Sequence, residues 1–228
     1  KKYSINKVLL TDSCTSALEI AALSLNLKSN DEVLIPSFAY PTTASAFLRV
    51  GCKIIFYEIN NYDYMYDLTD LKKRINKKTK ALVIIHYAGI SANIDEVLKL
   101  KRKYKFSLVE DAAQSINLKY RRKFVGTYGD FGCISFHETK NIHCGLGGAL
   151  FINNKKYNKK STYIWERGTN RRDVLNKQIK KYSWVEIGSN FYPSELQSAF
   201  LYAQLLEIDK ITSKRKKLFN YYVKGLKL

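Results

Sequence analysis

Three prolines and eleven glycines among 228 residues leave no room for a collagen-like repeat, and a hydrophobic share of 46% is too high for a disordered chain. No uninterrupted run of about 18 apolar residues occurs, so no segment reads as a transmembrane helix. The opening KKYSINKVLLTDSC has neither the apolar core nor the small-residue cleavage site of a secretory leader. These absences predict a soluble, cytoplasmic protein. Cysteine is sparse and badly spaced: Cys14, Cys52, Cys133 and Cys144 contain no C-x-x-C pair, which argues against a zinc site or a disulfide framework. His86, His137 and His143 form no H-E-x-x-H helix, and no metal is expected. Acidic residues are the scarcest relative to need, 20 against 39 Lys and Arg, for a net charge of +19. The basic residues fall in short runs throughout, from Lys72–Arg74 to Lys214–Lys217, not in one patch. That dispersion favours a general basic bias over a nucleic-acid footprint, and an anionic small molecule would still feel the field.

What is present is an alternation of short apolar strands with amphipathic helices. Strands are predicted over Lys7–Leu10, Glu32–Ile35, Lys53–Tyr57, Ala81–His86, Ser107–Glu110, Gly132–Phe136 and Ala149–Ile152. Several are near-continuous Val/Ile/Leu runs, the pattern of strands covered on both faces. Helices are predicted over Ser16–Leu27, Thr42–Val50, Leu68–Asn76, Ile94–Lys105 and Lys156–Arg167, with a small hairpin at Tyr120–Val125 carrying Arg121 and Arg122 at its tip. Repeated β-α-β order predicts an α/β fold: a three-layer α-β-α sandwich around a mostly parallel seven-stranded sheet. Ser194–Lys217 reads as one long trailing helix.

In such a sheet ligands sit at the carboxyl ends of strands. Four of those ends carry suggestive residues. TDSCTSAL puts Ser13, Thr15 and Ser16 at a helix start, where they either bind phosphate or simply cap the helix. PSFAYP places Phe38 and Tyr40 just past a strand, to stack on a flat ring or to pack in the core. LVEDAAQ ends a strand in Glu110 and Asp111, followed by Gln114; a carboxylate there caps a turn or holds a cationic nitrogen. CISFHETKN runs an apolar strand into Lys140, either a surface lysine or a nucleophile toward aldehydes, and leads into the glycine-rich CGLGGALFIN. Phosphate cup, ring, acid and lysine together are the parts that pyridoxal 5'-phosphate (PLP) requires.

The sequence also resembles the DegT/DnrJ-type sugar aminotransferases of PLP fold type I, most closely the dTDP-4-amino-4,6-dideoxygalactose transaminases. The resemblance runs through SCTSALEIAAL, DEVLIPSFAY, VIIHYAG, VEDAAQ, GCISFHETKN, ERGTNR, KYSWVEIGSN and SELQSAF. It implies that Lys140 bonds covalently to the cofactor, Asp111 pairs with its ring nitrogen and Gln114 lies beside its ring hydroxyl. Thr15, Ser16 and Ser135 fall on phosphate-binding positions and Tyr40 on the ring-stacking aromatic. It further implies a homodimer with the site at its interface, where Asn190 reaches the neighbour's phosphate. The implied reaction moves an amino group from L-glutamate to the 4-keto carbon of a dTDP-linked 4-keto-6-deoxyhexose; by charge and position, Arg171, Arg172 and Lys181 in the loop before Trp184 are candidates for its diphosphate.

Two departures from the family pattern follow. Set against the family pattern, this sequence is expected to lack an N-terminal arm and a small C-terminal domain, so residues 1–190 would be an incomplete PLP-binding domain and 191–228 a connecting helix. Leu146 stands where the family's glycine-rich turn carries an acid. The alternative reading is therefore a non-catalytic pseudoenzyme or a binding or regulatory protein. A sugar 3-dehydratase is disfavoured because Lys140 stands where such enzymes carry histidine.

Overall fold

The computed structural model describes residues 3–226. Seven strands form one sheet: β1 (Lys7–Thr11), β2 (Glu32–Pro36), β3 (Lys53–Tyr57), β4 (Thr79–Ile85), β5 (Ser107–Asp111), β8 (Phe131–Ser135) and β9 (Gly148–Ile152), in the order β1-β9-β8-β5-β4-β2-β3. The short strands β6 (Lys119–Tyr120) and β7 (Lys123–Phe124) form the hairpin expected around Arg121 and Arg122. Six strands of the main sheet run one way. β9 alone runs against them, pairing antiparallel with both β1 and β8.

The side chains explain the layering. Alternate residues of β4 point to opposite faces, Ala81 and Val83 into one buried cluster, Leu82 and Ile84 into the other. The first cluster is covered by α1 (Cys14–Ser24), α2 (Pro41–Leu48) and α5 (Asn158–Trp165), through Ile20, Phe47 and Ile164 among others. The second is covered by α3 (Leu68–Arg74), α4 (Ile94–Tyr104) and α7 (Glu195–Leu206), through Leu71, Val97 and Leu201. Both faces of the central strands are thus dry, which is why they read as unbroken apolar runs. Each fully buried Leu, Ile or Phe contributes about 1.5–3 kcal/mol.

Two expectations need correction. The long helix expected over 194–217 is two: α7 ends at Leu206 and α8 spans Ile208–Leu226. At the break the Glu207 amide bonds the Gln204 carbonyl, a three-residue closure that turns Ile208 into the core. A short helix, α6 (Arg171–Leu175), lies where a loop was expected. Among the described residues, no helix is long and apolar enough to cross a membrane.

Candidate active site

Because six strands share a direction, their carboxyl ends converge on one side of the sheet. A cavity of about 580 Å³ opens there.

Its first wall is the start of α1. Ser13, in extended conformation, caps the helix by accepting the Ser16 N–H at 3.1 Å. The Ser16 hydroxyl lies 3.0 Å from that of Ser13. Ser13, Cys14 and Thr15 therefore line the cavity, whereas Ser16 stands behind them, buried and outside the lining. The position of this turn is set by Gly148. A Cβ there would lie 2.4 Å from the Ser13 carbonyl carbon and 2.5 Å from the Cys14 nitrogen. Only glycine lets β9 pass so close, and it leaves a helix N-terminus aimed at the cavity, with Ser135 of β8 also in the wall.

The floor is Asp111, the last residue of β5 and only 5% exposed. Its Oδ2 accepts the Thr43 hydroxyl at 2.7 Å and its Oδ1 the Ala113 N–H at 3.1 Å. Burial nonetheless raises its pKa above the ordinary carboxylate value, with those two hydrogen bonds, His86 and Lys140 pulling the other way. Gln114 follows in the wall. Its Oε1 accepts the Ala88 N–H at 2.8 Å, and Ala88 holds the left-handed conformation, φ 50°, that aims this N–H.

Lys140 lines the cavity from a turn, not from a strand mouth. β8 ends at Ser135, and the loop beyond it folds back on itself: Phe136 N–H to Gly147 carbonyl, Glu138 N–H to Gly145 carbonyl and Lys140 N–H to His137 carbonyl, each 2.7–2.8 Å. That loop also brings His137, Thr139 and Leu146 into the wall. The remaining side is aromatic. Tyr40, 73% exposed, precedes α2, and the Phe38 ring packs against Tyr87 and Tyr64 with centroids 4.8 and 5.4 Å apart.

Thr15, Tyr40, Asp111, Gln114, Ser135 and Lys140 thus share one cavity. The other expected residues do not line it. Asn190 is exposed and bridges Glu166 through its backbone. Arg172 is held by buried Glu166 at 3.0 Å and lies over the Trp165 ring, and Arg171 is 3.8 Å from the same carboxylate. Lys181 is exposed, its carbonyl accepting from the Asn170 side chain. Sequence reasoning missed Thr43, Tyr87, His137 and Thr139. Thr43 carried no signal, since a threonine inside a helical pattern reads as filler.

The family model of the DegT/DnrJ/EryC1/StrS aminotransferases matches residues 2–228. The chain belongs to this family. It is 30% identical to the UDP-4-amino-4,6-dideoxy-N-acetyl-beta-L-altrosamine transaminase of Campylobacter jejuni, over 96% of this chain and 57% of that protein. Among solved structures, Helicobacter pylori PseC, an aminotransferase involved in the biosynthesis of pseudoaminic acid, superposes with a TM-score of 0.89 at 28% identity, covering 96% of this chain and 58% of that one. The PLP-form of Spr1654, a putative sugar aminotransferase from Streptococcus pneumoniae, shares the fold with a TM-score of 0.88 at 21% identity, covering 98% and 60%. The chain spans about half the length of the curated relatives it matches.

The DegT/DnrJ/EryC1 aminotransferases are PLP-dependent. The donor set fits that cofactor, and Asp111 carries the fit. A buried carboxyl in the cavity wall, fixed by the Thr43 hydroxyl and the Ala113 N–H, is stabilised by a cation placed against it, and the PLP ring nitrogen is one when protonated. An amine, two hydroxyls beside a helix N-terminus and an aromatic wall supply the rest.

Proposed function

We propose that this chain carries the cofactor-binding part of a PLP-dependent sugar aminotransferase. The reaction moves an amino group from L-glutamate to the 4-keto carbon of a nucleotide-linked 4-keto-6-deoxyhexose, giving a 4-amino-4,6-dideoxy sugar nucleotide. The observation that supports it is the sharing of one cavity by Lys140, Asp111, Gln114, Thr15, Ser135 and Tyr40. The nucleotide-sugar name of the Campylobacter relative supports the substrate class.

When bound, PLP supplies an aldehyde that accepts the amino group and a cationic ring that takes up the electrons released at the donor's Cα. Lys140 would hold the cofactor through Nζ and, when that amine is free, would carry a proton on it. Asp111 keeps the proton on the ring nitrogen. Gln114, fixed by the Ala88 N–H, offers its amide to the ring hydroxyl. Thr15, Ser135 and the start of α1 hold the phosphate, and Tyr40 covers the ring and keeps water from it. In a homodimer, Asn190 is the residue this chain offers to its neighbour's phosphate. Arg171 and Lys181, both exposed, are the cations offered to the substrate diphosphate. Arg172, already committed to Glu166, is the weaker candidate.

The test is an absorption spectrum of the purified chain with added PLP, beside a Lys140→Ala control. A visible band that bleaches with glutamate and is absent from the control is expected. The same band in both proteins, or in neither, overturns the reading.

A further inference from the structure

One buried polar pair lies outside the lining of the cavity. His86 and Glu110 are both 0% exposed. Glu110 Oε1 accepts the N–H groups of Tyr128 and Gly129, each at 2.6 Å. Its Oε2 accepts the Gly126 N–H at 2.7 Å and faces His86 Nε2 at 3.0 Å. His86 Nδ1 accepts the Ala92 N–H at 3.2 Å, which leaves the ring proton on Nε2, donated to Glu110. Every polar atom of the pair is thus satisfied.

The backbone of His86 is tied as tightly. Its N–H donates to the Asp111 carbonyl at 3.0 Å and its own carbonyl accepts the Ser115 hydroxyl at 2.6 Å. On the other side the Ala112 N–H donates to the Cys133 carbonyl at 2.9 Å. The peptide unit joining Asp111 to Ala112 is therefore held from both sides, by His86 just past β4 and by Cys133 of β8. Holding the 126–129 loop accounts for Glu110, since an apolar residue there would leave three backbone N–H groups without an acceptor, but it does not account for His86. Its location explains it better: it joins the end of β4 to the residue just before Asp111, and Glu110 also gathers the 126–129 loop.

We propose that His86 and Glu110 are a positioning couple for Asp111, fixing the strand end so that its carboxylate meets the cofactor ring nitrogen. This rests on the PLP reading above and extends it to two residues that do not touch the ring. Without the couple the end of β5 would be free to move, and the Asp111 carboxylate would hold the proton of the ring nitrogen less well.

The test uses the full chain loaded with PLP labelled with ¹⁵N in the ring, read by the nitrogen's NMR shift. His86→Leu is expected to move the signal toward the unprotonated value while the Lys140-dependent visible band persists. His86→Gln, whose amide still donates to Glu110, is expected to restore the wild-type shift. If His86→Leu does not fold, His86→Asn takes its place, being polar but too short to reach Glu110. An unchanged shift in the Leu or Asn variant, or a Gln variant displaced as far as they are, overturns the proposal. A wild-type chain that forms no band overturns the PLP reading and this proposal with it, whereas a wild-type band with an unshifted variant overturns this proposal alone.

Discussion

Asp111 couples the site to stability in a way that can be read from pH. Its pKa is raised in the folded protein, so the native state holds that proton to a higher pH than the unfolded chain does. The associated stability is present at low pH, below the ordinary aspartate value of about 4, and is lost as pH rises through the folded-state pKa. Without cofactor, Asp111→Asn should therefore melt above the wild type at about pH 8, with the gap closing on acidification toward about pH 4. With PLP present the order should reverse, because only a carboxylate stabilises the cationic ring. Thermal melts with and without PLP check both halves, and a gap that ignores pH would sink the argument. Gly148 acts through shape alone. Gly148→Ala forces a Cβ into the turn at Ser13 and Cys14, at a cost of about 1–3 kcal/mol, and should weaken PLP binding by displacing the start of α1. Urea unfolding and a PLP titration measure the two effects. Unchanged values in both would mean that the turn yields freely.

Among the elements, the sheet and its crossover helices were legible because burial on both faces leaves a plain mark: continuous apolar strands between helices with one apolar face. The reversed direction of β9 left none. Gly-Ala-Leu-Phe-Ile reads the same whichever way a buried strand runs. Nor did the break between α7 and α8, where neither proline nor glycine stands at Glu207. Within the site, the strand-end motifs were visible as residue types out of keeping with an apolar run. What escaped depended on contacts between distant segments. Thr43 meets Asp111 across 68 positions, and Arg172 is claimed by a buried Glu166 that sequence gives no reason to single out. Ser16 stands behind the lining for a local reason, its N–H and its hydroxyl both meeting the Ser13 hydroxyl.

For the molecule as a whole, a net charge of +19 spread over the surface makes a broad positive field, not a docking patch. On the proposed function, a dianionic sugar nucleotide should therefore bind severalfold more weakly when ionic strength rises from about 50 to about 300 mM, as added salt screens the field. Calorimetry at the two salt concentrations tests this, with the uncharged sugar as control. Affinity independent of salt would leave the excess charge without a part in binding.

The lone reversed strand also imposes an order of events. Among the described residues β1 pairs with β9 and with no other strand, joining residues 7–11 to 148–152. On a chain made from its amino end, β1 has no strand of this sheet to join until residues 148–152 have left the ribosome. Helix α1 can settle on its neighbours earlier, but the turn at its head waits for Gly148 to arrive beneath it. The closure spans most of the chain, the kind of long-range contact whose entropy is recovered late. The wall of the cavity at Ser13 and Cys14 is thus made before the strand that sets it, and a nascent chain halted before β9 holds Asp111 and the aromatic wall without that turn in place.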